Sequence, residues 1–123
     1  MKQSLRVTLF LIAFHIDVSS YAILAQQPTP IAGGYQEIAK TDIEVKSAAR
    51  FAVKKEQRKE HSHISLVSIE YAEKQVVAGT NYRLCIKVRI NGRTQDVVAV
   101  VYENLKGKFS LSGWDRQGCK AQG

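Results

Sequence analysis

Between Tyr82 and Arg89 the chain alternates without a break: Tyr82, Leu84, Ile86 and Val88 are separated by Arg83, Cys85, Lys87 and Arg89. A period of two gives an extended strand one apolar side and one basic side. Asn91-Gly92 follows at once and supplies the two positive-φ residues of a tight type I′ hairpin. Val97 to Tyr102 is a second β-forming run, Asn104 to Lys108 a further turn, and Phe109 to Trp114 a last strand. Upstream, Ile64 to Val77 reads as a long strand with Val67, Ile69 and Tyr71 on one side. Four strands joined by short turns form an antiparallel meander, and its apolar side needs a cover.

One segment can provide that cover. Thr41-Asp42-Ile43-Glu44 has the form of a capping box, with Thr41 as the cap and Glu44 reaching back. Behind it Val45, Ala48, Ala49, Ala52 and Val53 recur at helical spacing, with Phe51 at the margin. This predicts a helix from about Asp42 to about Arg58. Its small-residue face admits a curved sheet closely, while Lys54, Lys55, Arg58 and Lys59 with Glu56 and Glu60 form a solvated side. One helix set apart from a run of antiparallel strands is an α+β arrangement. At 123 residues the chain holds a single core.

The amino terminus stands apart from that domain. Lys2 and Arg6 precede the apolar run Val7 to Phe14, and small residues follow at Ser20 and Ala22, the two cleavage-determining positions, and at Ala25. This is the pattern of a secretory signal, and the run is too short to span a bilayer. The expected division is a signal peptide at 1–25, cleaved near Ala22 or Ala25, and a secreted domain at 26–123, extracellular or, in a bacterium, periplasmic. Loss of Lys2, Arg6 and Asp17 lowers the net charge from +7 to +6. The positive residues are scattered rather than gathered with aromatics, so no nucleic-acid partner is expected, nor a membrane after cleavage.

Reactive chemistry is sparse. Cys85 and Cys119 are an even pair in an exported chain and suit one disulfide, with two unconnected thiols as the alternative. A bridge requires the tail carrying Cys119 to fold back across a neighbouring strand. His61 and His63 form a His-x-His pair in a polar segment with no third ligand, so no metal or other cofactor is expected. The inward positions lack a convincing acid and base pair, so the chain is not expected to be an enzyme.

Successive hairpins alternate ends. Gln75 to Gly79 and Asn104 to Lys108 therefore share one end of the meander, with Asn91-Gly92 at the other. Gly33-Gly34, in the leader, can reach the first end. Three blunt projections line up: a glycine arm, an apolar loop and a turn tipped by Leu105. Exposed apolar loops on a rigid scaffold commonly contact a partner.

The loop reads Gln75-Val76-Val77-Ala78-Gly79, and this resembles the Gln-x-Val-x-Gly first hairpin of the cystatins, inhibitors of papain-like cysteine proteases. The paired glycines, the Ala49-Arg50-Phe51-Ala52-Val53 stretch and the strand Thr80 to Val88 are also similar to that family, so the likeness runs from about Ala32 to Trp114. It implies the cystatin fold, a five-stranded antiparallel sheet wrapped around one α-helix. It also implies reversible, non-covalent inhibition of proteases such as papain and the cathepsins, by a wedge filling the catalytic cleft. Gly33 and Gly34 would bend the arm, placing Ile31 and Ala32 in the cleft. Gln75 would shape the first loop, and Val76, Val77, Ala78 and Gly79 would form its contact.

The second turn departs from the pattern. Many secreted and plant cystatins have Pro-Trp there; this chain has Asn104-Leu105-Lys106-Gly107, closer to the stefin branch. Leu105 and Lys106 become the expected second-loop contacts, with Trp114 a secondary candidate that fits better packed at the sheet edge. Glu60 to His63 lacks the asparagine of cystatins that also inhibit legumain-type proteases, so that activity is not expected. A monomer is expected to act, with strand exchange through Gln75 to Gly79 as a route to an inactive dimer. The alternative function is a cystatin-fold binding protein without protease inhibition.

Overall fold

The computed structural model describes residues 33–120. The signal segment 1–25 and the arm residues Ile31 and Ala32 lie outside the described residues. The elements run β1 (Gln36–Glu37), α1 (Ile43–Glu60), β2 (Ile64–Val77), β3 (Gly79–Ile90), β4 (Arg93–Glu103) and β5 (Phe109–Asp115). The strands form one antiparallel sheet in the order β1-β2-β3-β4-β5, and α1 packs across it. This is the α+β arrangement expected from the alternation, with one helix and a five-stranded sheet.

The core lies where the two patterns meet. Val45, Ala48, Ala49 and Ala52 of α1 are fully buried against Leu84, Ile86 and Val88 of β3 and Val97, Ala99 and Val101 of β4. Three alanines at the contact let the helix settle close to a twisted sheet. Burial of each large aliphatic side chain in that layer contributes roughly 1.5–3 kcal/mol. Phe51 adds an aromatic contact to Phe109, their ring centroids 5.6 Å apart.

Four expectations need correction. Asp42, not Thr41, caps α1: its Oδ1 accepts from the amides of Glu44, at 2.8 Å, and Val45, at 3.4 Å. A carboxylate one residue nearer the first turn suits the positive end of the helix better than a hydroxyl. The Glu44 side chain is engaged elsewhere, as shown below. Glu56 is not on the solvated side: it is 2 % exposed and continues the inward stripe by one turn. The helix also runs to Glu60, where His61 ends it in the left-handed conformation with φ 53°.

The fourth correction concerns the face of β2. Val67 and Tyr71 point outward, while Leu66, Ile69 and Ala72 pack on the core side with Ile64. Two register shifts cause this. Leu66 pairs with Val88 but Ser68 with Lys87, and Ile69 pairs with Ile86 but Tyr71 with Cys85. Val67 and Glu70 are therefore extra residues, each resetting the alternation, and such bulges sharpen the bend of a strand. β2 curves around the helix as a result.

Cys85 and Cys119 are joined by a disulfide, with Cα atoms 5.6 Å apart across a sequence separation of 34. Cys85 is on the outer face of β3, opposite Val98 of β4. The tail beyond β5 folds back across β4 to meet it, and the Cys119 sulfur lies 3.6 Å from the Val97 carbonyl oxygen. In the chain-entropy view the bridge contributes roughly 3–4 kcal/mol.

Candidate functional site

The β2–β3 and β4–β5 turns lie side by side. Val77 pairs with Gly79, the next residue, Thr80, pairs with Glu103, and Glu103 pairs with Phe109. The Asn91-Gly92 turn closes the other end, with Ile90 opposite Arg93. At the shared end the apolar tips face solvent: Val76 is 65 % exposed, Val77 45 % and Leu105 83 %. Ala78 and Lys106 are exposed beside them.

These tips are held by specific bonds. Gly79 adopts φ 105°, and a Cβ there would run into the Glu103 carbonyl oxygen and lie 2.8 Å from the Tyr102 ring. Only glycine lets the first hairpin lie this close to β4. The Tyr102 hydroxyl donates to the Ala78 carbonyl, fastening the apolar tip to the strand that leads into the second turn. That second turn is organised by itself. Asn104 Oδ1 accepts from the amides of Lys106 and Lys108, both at 2.9 Å, and the Asn104 and Lys108 main chains bond across the base at 3.0 Å.

The arm is tied in at the same end. Gln75 Nε2 donates to the Gly33 carbonyl oxygen at 2.6 Å, while Gln75 Oε1 accepts from Asn81 Nδ2 at 3.0 Å. Gly33 takes φ 79°, a left-handed bend open to glycine, and Gly34 follows it. Beyond the bend, Tyr35 lies under the Arg83 guanidinium, 4.0 Å from ring centroid to Cζ. Arg83 is in turn paired with Glu73, its Nε 2.6 Å from Oε2. A guanidinium that stacks on one side and forms an ion pair in its plane uses both of its recognition modes. Of the residues named from sequence, Gly33, Gln75, Val76, Val77, Ala78, Gly79, Leu105 and Lys106 gather at this end.

Beneath the tips, the Tyr82 hydroxyl lies 2.8 Å from Glu44 Oε2 and 3.0 Å from Glu103 Oε2. A phenol has one proton to give, so the two carboxylates share one donor. Burial, then these bonds, push the Tyr82 hydroxyl far above its ordinary range, and it stays protonated at any working pH. The group braces the first turn of α1 against the end of β4.

Trp114 sits elsewhere. It pairs with Ala99, five residues along β5 from the turn, and packs half-buried against the core. Its Nε1 is buried without a hydrogen-bond partner. Sequence reasoning misses Tyr102 and Asn81, whose partners are 24 and 6 residues away. Asn81 could have been noticed as the cross-strand neighbour of Gln75, but Tyr102 gave no signal of its own. Among the described residues no group of three or more metal-ligating side chains occurs, and no helix is long and apolar enough to cross a membrane.

A family model described as aspartic acid proteinase inhibitor matches residues 38–115. Solved structures similar to this chain include the salivary cystatin of the soft tick Ornithodoros moubata, 23 % identical with a TM-score of 0.59, covering 68 % of this chain and 96 % of that one. Al-CPI is 18 % identical with a TM-score of 0.57, over 68 % of this chain and 98 % of that one. Dimeric human cystatin F is 15 % identical with a TM-score of 0.57, over 80 % and 98 % respectively.

Proposed function

Since the chain belongs to the aspartic acid proteinase inhibitor family and has the cystatin fold, it is a protease inhibitor, and we propose that its target is a papain-like cysteine protease. The observation that carries this reading is the row of Gly33, the Val76–Ala78 tip and Leu105, exposed at one end of the sheet and joined by Gln75 and Tyr102. Val76, Val77, Ala78 and Leu105 offer shape and apolar surface to a cleft, and Lys106 a charge beside it. Gly33 and Gly34 turn the arm toward the same cleft. None of these side chains is a nucleophile or a general base, so inhibition is by occlusion, reversible and without a covalent bond. The bonds that fix the tips in the free protein reduce the ordering cost of association.

The same reading makes the chain a secreted, non-enzymatic protein that acts as a monomer on proteases, with no nucleic-acid, membrane or cofactor partner. Residues 1–25 are its signal and 26–123 the inhibitor. Exchange of strands through Gln75–Gly79 would straighten the tip and remove the activity.

A second reading, inhibition of an aspartic protease, is favoured by the description of the matching family. One experiment separates them: the refolded domain 26–123 is titrated against papain and against pepsin. Saturable inhibition of papain with none of pepsin supports the cysteine-protease target. Inhibition of pepsin alone overturns it in favour of the second reading. Inhibition of neither by monomer at micromolar concentration leaves a binding protein without these targets.

A further inference from the structure

A second surface lies away from the hairpin tips, where the bulged part of β2 passes the first half of α1. A cleft of about 340 Å³ opens there, lined by Lys40, Lys46, Arg50, Leu66, Val67 and Ile69, with the hydroxyls of Thr41 and Ser68. No carboxylate lines it. Lys46 and Arg50 are four residues apart on α1 and so project from one face, and Lys40 joins them from the loop before the helix. Among the described residues none of the three makes an ion pair. The nearest acid along β2, Glu70, accepts from the Ser68 hydroxyl at 2.6 Å and lies 3.9 Å from Lys87, with Lys40 also helping to hold its carboxyl below the usual range. The other cationic stretch of α1, Lys54 to Lys59, differs, because it runs into Glu60, which pairs with Arg116.

The floor and the sheet edge narrow the choice of ligand. Leu66 and Ile69 are half-buried and Val67 half-exposed, so the cleft has an apolar base under a cationic rim. β1 pairs with β2 only at Glu73 and Lys74, and the Ile38 amide adds one bond to the Ala72 carbonyl. From Ser65 to Tyr71 the outer edge of β2 therefore has no strand beside it among the described residues. Open edges accept extended chains through main-chain bonds. The bulges at Val67 and Glu70 break the edge into short pieces, which suits a brief segment and discourages a full strand.

We propose that this cleft is a docking site for an extended acidic peptide segment of a partner protein, carboxylates on Lys40, Lys46 and Arg50 and an apolar side chain over Leu66 and Ile69. The site is separate from the hairpin tips and does not depend on which protease they meet. A short fluorescein-labelled peptide of glutamates interrupted by two leucines tests it by anisotropy, with domain 26–123 as titrant. Saturable binding with a Kd on the order of 10–100 µM at low salt is expected, weakening with added salt. The triple variant Lys40→Glu/Lys46→Glu/Arg50→Glu should lose at least about tenfold, while its inhibition of papain stays as in the parent. Lys54→Glu/Lys55→Glu/Arg93→Glu carries the same change of net charge on other exposed residues and should bind the peptide as the parent does. Equal loss in both triple variants, no saturation at millimolar concentration, or undiminished binding after leucine-to-serine exchange in the peptide overturns the proposal. So does retention of a heparin fragment that depends on the three cations without any peptide binding, since the ligand is then a polysaccharide.

Discussion

The two ends of the sheet solve opposite problems. At the hairpin end apolar side chains stand in water, and polar groups do the fixing: Tyr102 on Ala78, Gln75 on Gly33, Asn104 on its own turn. At the far end Glu56 and Trp114 are taken into the core, each leaving one polar atom without a partner, and Arg116 pairs with Glu60 above them. One end keeps its shape at the cost of exposed apolar area, and the other packs its core at the cost of unsatisfied polar atoms. The contrast separates shape from stability along a single fold.

The sharpest way to break that contrast is at Gly79. Gly79→Ala places a methyl group against the Glu103 carbonyl and Tyr102 in a left-handed conformation, and inhibition of papain should fall by on the order of 100-fold. Circular dichroism should still show a folded domain; unchanged inhibition would mean that the close approach of the two hairpins is irrelevant to activity. Val77→Asp comes next. A charge on the exposed tip must be desolvated in an apolar cleft, so inhibition should weaken by about 30-fold with little change in Tm; an effect on Tm alone would reassign Val77 to the fold. Tyr102→Phe removes one hydrogen bond that crosses between hairpins, worth about 1 kcal/mol, and should cost about fivefold in inhibition. Equal losses of inhibition and stability would count against a positioning role.

The smallest effect belongs to the far end and should leave inhibition untouched. Burial, followed by a hydrogen bond with Glu60, raises the Glu56 carboxyl above its ordinary range. The folded protein thus favours the protonated acid. The associated destabilisation is absent below the unfolded carboxylate pKa, around 4.3, and develops as pH rises through the higher folded value. Glu56→Gln should accordingly raise Tm by a few degrees at pH 7 and do little at pH 4, as followed by thermal melts. A lower Tm at pH 7 would show that the ionised group is a net stabiliser.

Much of this was legible from single residues. The alternation Tyr82-Leu84-Ile86-Val88 places those residues in the core, and Val45 to Val53 is the face that covers them. These patterns repeat, so each position is supported by its neighbours. The face of β2 was not legible, because a bulge is a property of a pair of strands: nothing in Val67 or Glu70 states that β3 will skip it. Glu56 escapes a sequence reading for a related reason, since a carboxylate on an apolar stripe looks like the stripe's end until the fold buries it to 2 % exposure. The Gly79 conformation could be suspected from its residue type. The bonds from Gln75 to Gly33 and from Tyr102 to Ala78 could not, as they join parts of the chain that only the finished sheet brings together.

The link between Cys85 and Cys119 carries a consequence for lifetime. A protein whose partners are proteases meets, at every encounter, an enzyme able to cut any segment that can be drawn out straight. The last strand of a sheet is the usual place for such a segment to peel away, since only one neighbour holds it. Here that strand lies inside a covalent ring that crosses β4 and closes on β3. Peeling cannot proceed from a loose end and must open the ring's contents together. The bridge thus makes the carboxy-terminal edge a poor substrate, and in a reducing medium survival beside a protease should fail before folding does.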